Sequence, residues 1–174
     1  MPERIEITRI KENSNNREYV INVVREEGAL LEFASEELRD DKEVVLEAIN
    51  NNAEALEFVS DRLKGDREVV YESVSKVGWT YCYAKENLLD DKELLLAGLK
   101  VSGQILYFSS QEMRDDKEVV MTAVTQKPII IKYASGRLRE DKEIGMAAMQ
   151  VSKKCYEFLG PNLKQDEDIL ALKG

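Results

Sequence analysis

Asp41-Lys42-Glu43-Val44-Val45 decides the fold, because it returns as Asp116-Lys117-Glu118-Val119-Val120. Variants lie between and beyond these copies: Asp66-Arg67-Glu68-Val69-Val70, Asp91-Lys92-Glu93-Leu94-Leu95 and Asp141-Lys142-Glu143-Ile144. The leading aspartates Asp41, Asp66, Asp91, Asp116, Asp141 and Asp166 stand 25 residues apart. One period upstream is Asn16, followed by Arg17-Glu18. The chain therefore reads as six repeats, 16–40, 41–65, 66–90, 91–115, 116–140 and 141–165, closed by a half-repeat over 166–174. A second phrase keeps this register. The eighteenth position is always aromatic (Phe33, Phe58, Tyr83, Phe108, Tyr133, Phe158), and the twenty-third is Leu38, Leu63, Leu88, Met113, Leu138 or Leu163. Such self-similarity at a fixed period marks a repeat architecture.

Each repeat reads as two short helices. The aspartate is a good N-cap, since its carboxylate accepts from free N–H groups of the first turn. The glutamate two residues on suits the positive end of the helix dipole. Val44, Val45, Leu46, Ala48 and Ile49 then give the first helix a broad apolar face. Gly28, Gly78 and Gly103 at the thirteenth position suit a left-handed C-cap. Pro128 in that place suits the first turn of the next helix instead. The second helix carries Leu56, Phe58, Val59 and Leu63 at helical spacings, with the repeated aromatic expected in the core. Neither helix buries its apolar side alone; stacked repeats do, which predicts an all-α solenoid whose handedness the sequence leaves open. The glycine and proline breaks exclude a coiled coil. Residues 1–15 fall outside the register. With Ile5 and Ile7 alternating with polar residues, they read as an extended cap on the first repeat or as a disordered segment.

The phrases D-K-E-V-V-x-x-A-V and L-x-F-A-S-x-x-L-R-D resemble the repeats of the family known as domain of unknown function 4116. Asp41 to Val45 with Ala48-Ile49, and Leu31-Glu32-Phe33-Ala34-Ser35 with Leu38-Arg39-Asp40, carry the resemblance. It runs from Asn16 onward and departs in the sixth repeat at Gly145, Gly160 and Pro161. It implies a helical repeat and supplies no catalytic residues.

Composition narrows the function. The 174 residues are 43% hydrophobic and 34% charged, with no apolar run approaching the roughly 20 residues of a membrane-crossing helix. The N-terminus has no apolar signal core, so a cytoplasmic location is expected. A net charge of -9 argues against nucleic acid as partner. The chain has no histidine, which removes the usual general base and zinc ligand. No phosphate-binding glycine loop, nucleophile elbow or metal-ligand cluster is present. Catalysis, cofactors, metal ions and membrane contact are therefore not expected. The paired carboxylates Asp40-Asp41, Asp90-Asp91 and Asp115-Asp116 read as helix caps rather than calcium sites. Cys82 and Cys155 lie three repeats apart and read as inert thiols.

The positions that vary between repeats point to a binding site, because packing does not dictate them. The fourteenth reads Ala29, Glu54, Trp79, Gln104, Ile129, Lys154, and the seventeenth Glu32, Glu57, Cys82, Tyr107, Lys132, Glu157. Trp79, Cys82, Tyr107 and Ile129, with Lys132 at the rim, are the expected partner-binding residues. Charge is uneven: residues 16–90 carry nine Lys and Arg against eighteen Asp and Glu, and residues 91–165 twelve against ten. The expectation is a non-catalytic scaffold that binds a protein or peptide, as a monomer or with weak self-association. The alternative is a structural protein that self-assembles through its acidic and basic ends.

Overall fold

The computed structural model describes residues 4–174, and side chains from Glu6 onward. It is all-α, with no strand among the described residues. The chain divides into two compact units, residues 1–88 and 89–174, each a stack of the repeats.

The long helix of every repeat starts at its second position. In the first unit these helices are Arg17–Glu26, Lys42–Asn51 and Arg67–Val74; in the second, Lys92–Val101, Lys117–Gln126, Lys142–Val151 and the closing Glu167–Lys173. The capping expectation holds. Asp41 Oδ1 accepts from Glu43 N at 3.0 Å and Val44 N at 3.2 Å, Asp116 Oδ1 from Val119 N at 3.1 Å, and Asn16 Oδ1 from Tyr19 N at 3.1 Å. The apolar face is buried as its spacing predicts: Val44, Val45, Ala48 and Ile49 are fully inaccessible, as are Val119, Val120, Ala123 and Val124. Each such valine or isoleucine contributes about 1.5–3 kcal/mol, an upper figure for a chain already partly collapsed when unfolded.

The second helix departs from expectation. Instead of one α-helix there is a six-residue 3-10 helix, an extended break, and a further single turn. Ala53–Phe58 is such a 3-10 helix; Val59 then takes φ -69° and ψ 150°, and Leu63–Gly65 forms the last turn. The same plan recurs as Gly28–Phe33 with Glu36–Arg39, Gly103–Phe108 with Met113–Asp115, and Pro128–Tyr133 with Gly136–Arg139. The break frees backbone groups to bond the preceding repeat. Ser60 N donates to Arg39 O and Lys85 N to Lys64 O, both at 3.0 Å, and Ser135 N to Arg114 O and Gly160 N to Arg139 O, both at 2.9 Å. Unpaired buried backbone is costly, so these bonds, 21 residues apart in sequence, fix where the helix stops.

The glycines act differently from the left-handed cap that their position suggests, since none of the described residues has positive φ. Gly28 and Gly103 open 3-10 helices against the next repeat, where a Cβ would collide with the Ala48 carbonyl in one case and stand 2.8 Å from the Ala123 carbonyl oxygen in the other. Pro128 takes the first position of its 3-10 helix, as expected. The irregular sixth repeat also has a packing reason. Leu163 Cδ2 lies 2.5 Å from where a Cβ of Gly145 would be, and Gly160 leaves room for the Glu140 side chain, which accepts from Leu163 N at 2.8 Å. The N-terminal expectation is corrected: Arg4–Glu12 is an α-helix, not an extended hook, with Ile10 fully buried. Residues 1–3 and the side chain of Ile5 lie outside the described residues.

Candidate partner-binding site

The 3-10 helices position the candidate residues. With three residues per turn, side chains three apart lie above one another, so the helix has three edges. The thirteenth and sixteenth positions face inward, as in Gly103 and Leu106, and the fifteenth is buried too, as in Ile105 and Ile130. The fourteenth and seventeenth share the outer edge. Trp79 and Cys82 therefore lie on one side of their 3-10 helix, and Ile129 and Lys132 on one side of theirs.

The eighteenth position is not core, contrary to expectation. It shares an edge with the fifteenth but lies a turn further out, where the chain leaves the helix. Phe33, Phe58, Tyr83, Tyr133 and Phe158 are half-buried, and Phe108 is 45% exposed. These rings form the shoulder beside the outer edge.

In the second unit outer edge and shoulder meet in a cleft of about 250 Å³, lined by Gln104, Tyr107, Lys127, Ile129, Lys132 and Tyr133, among others. Tyr107 is 55% exposed. Its ring centroid lies 4.9 Å from that of Tyr133 and 5.1 Å from that of Phe108, and the Lys132 ammonium sits 4.7 Å over the Tyr133 ring. These are attractive geometries for ring quadrupoles, so the exposed rings are held rather than loose. Three of the expected residues, Tyr107, Ile129 and Lys132, thus line one cleft.

The other two belong to the first unit. Trp79 is 39% exposed and packs edge-on to Tyr83 at 5.6 Å, and Cys82 is half-buried on the same 3-10 helix. Burial, then the charge of Glu57, pushes the Cys82 thiol above its ordinary range, and burial does the same to Cys155. Neither cysteine is disulfide-bonded. The outer edge here is acidic, with Glu32, Glu54 and Glu57 exposed. Among the described residues no group of three or more Cys, Asp or Glu is placed to hold a metal ion, and no helix is long and apolar enough to cross a membrane.

Sequence reading gave the second residue of each repeat no role. Within each unit the structure assigns it to a ladder between repeats. Arg17 Nε lies 2.7 Å from Asp41 Oδ2 and also bonds Glu43; Lys42 Nζ lies 2.8 Å from both Asp66 and Glu68. In the second unit Lys92 bridges Asp116 and Glu118, Lys117 bridges Asp141 and Glu143, and Lys142 bridges Asp166 and Asp168. A second clip joins the end of one repeat to the next: Arg62 Nε lies 3.0 Å from Asp40, whose carboxylate also accepts from Ser60, and Arg137 and Ser135 hold Asp115 likewise. The signal was present as a basic residue at every second position up to Lys142, with Glu167 ending the series.

Capped helices in 25-residue steps, cross-clipped by ions and carrying a variable outer edge, define a tandem α-helical repeat protein. The chain belongs to the family described as Domain of unknown function (DUF4116), whose model matches residues 16–64, 66–114 and 116–169. The matches begin two repeats apart, so the family unit is a pair of the present repeats. No curated protein and no solved structure matches the chain.

Proposed function

We propose that the chain is a non-catalytic cytoplasmic scaffold that binds a protein or peptide on the outer edge of its 3-10 helices. The carrying observation is the Tyr107 cleft. Exposed aromatics fixed by neighbouring rings, beside an apolar Ile129 and a lysine rim, are the composition of an interface anchor. The repeat framework supports this reading. It accounts for the inward residues and the ladder, and leaves the fourteenth and seventeenth positions free to differ between repeats.

The test is to identify binders of the full chain from native extract, purify one, and measure its affinity for wild type and for folded Tyr107→Ala/Ile129→Ala. Loss of affinity in the variant is the expected result. Equal affinity moves the site to another face. A chain that captures only itself, and whose sedimentation rises as salt falls, is a self-assembling structural protein instead.

A further inference from the structure

We infer that the Tyr107 cleft takes an acidic peptide with an apolar anchor side chain. This rests on the scaffold reading above and specifies its ligand.

Charge complementarity carries it. The carboxylates of the second unit are largely committed: Asp116, Glu118, Asp141, Glu143, Asp166 and Asp168 to the ladder, and Asp115 to Arg137. The lysines around the cleft are not. Among the described residues Lys127 and Lys132 at the cleft have no carboxylate partner, nor has Lys154, which stands one repeat on from Ile129. The Lys132 ammonium lies over the Tyr133 ring, with no carboxylate on it, and can meet one from a ligand. A surface with aromatic and apolar centre and unneutralised cations around it is complementary to an apolar side chain flanked by Asp or Glu.

Size selects a side chain over a free small molecule. The cleft, about 250 Å³, lies below the roughly 300–1,000 Å³ of small-molecule sites. Nucleic acid fits less well. A stacking platform needs a free ring face, whereas the Tyr133 face is covered by Lys132.

The experiment is selection of a phage-displayed random dodecapeptide library on the full chain, followed by fluorescence anisotropy with the enriched peptides. The expected peptides are rich in Asp and Glu around one apolar residue. They bind about tenfold more weakly to Tyr107→Ala and to Lys127→Glu/Lys132→Glu, both checked for fold by circular dichroism. A peptide with Lys in place of its acidic residues gains affinity for the charge-reversed variant. Enriched peptides that are neutral or basic, or that need Tyr107 but ignore both lysines, overturn the acidic ligand and leave the scaffold reading standing. An oligo-dT strand that binds more tightly than any peptide and depends on the same lysines also overturns it. A library with no enriched peptide overturns both readings.

Discussion

Lys42 Nζ lies 2.8 Å from Asp66 Oδ2, so the cation beside one helix cap neutralises the cap of the next repeat. Asp66 therefore does two things with one carboxylate: Oδ1 accepts from Glu68 N at 3.0 Å and Val69 N at 3.2 Å while the lysine holds the group in place. The same arrangement at Asp41, with Arg17 as the cation, lets the two contributions be separated.

Asp41→Asn keeps a capping oxygen and loses the charge; Asp41→Ala loses both. The alanine variant is expected to be destabilised by about 1 kcal/mol more than the asparagine variant, the ordinary worth of an N-cap, because the exposed ion pair adds little. Urea unfolding with unchanged slope checks it; equal losses would mean that the ion pair, not the cap, is the stabilising part.

Acid should weaken the fold from roughly pH 4 downward and not above it. The hydrogen bond from Arg17 holds the Asp41 carboxyl below its usual range, Lys142 does so for Asp166, and Ser60 then Arg62 for Asp40. These carboxylates bind protons more readily in the unfolded chain, so stability falls with pH as they are titrated. Melting temperatures between pH 7 and pH 3 read this directly, and a decline that begins at pH 6 contradicts the assignment.

Two glycine-to-alanine changes should have opposite signs. Gly28→Ala places a Cβ against the Ala48 carbonyl, a backbone neighbour that cannot rotate away, and is expected to destabilise by about 1–3 kcal/mol. Gly136→Ala meets nothing within 4 Å in the first turn of Gly136–Arg139 and is expected to stabilise by roughly 0.5 kcal/mol. Thermal melts of the two variants side by side decide the matter.

Two tyrosines should separate packing from surface. Tyr81 is fully buried, and Tyr81→Ala is expected to cost roughly 3–5 kcal/mol by leaving a cavity. Tyr107→Ala, at 55% exposure, is expected to change stability by less than about 1 kcal/mol. A large loss at Tyr107 in chemical denaturation would make it a structural ring rather than a docking surface.

The period and the caps were legible because they are local: an aspartate two or three residues from the N–H groups it accepts leaves its mark in every repeat. The 3-10 helix was not. Over six residues such as Ala53–Phe58, periods of 3.0 and 3.6 place nearly the same apolar side chains inward. What decides between them is the bond from Ser60 N to Arg39 O, a contact across 21 residues. The aromatic shoulder was misread for the same reason, since its exposure follows from where the 3-10 helix ends. In the N-terminal segment Ile5 and Ile7 alternate like a strand, while burial of Ile10 in the helix Arg4–Glu12 sets the actual period. Of the candidate site, the shared edge of Ile129 and Lys132 was readable, because a spacing of three faces one way in either helix. The lysine ladder was hidden, because the aspartates it uses were already explained as caps.

The forward reach of the ladder makes one period an interchangeable part. Excising residues 117–141 would join Asp116 to Lys142, preserve the Asp-Lys-Glu junction, and offer Lys92 the side chain of Glu143 where Glu118 had stood. The ladder thus tolerates the loss of a whole repeat, whereas the clip does not, since Asp115 would then face Gly160 and Asn162 in place of Ser135 and Arg137.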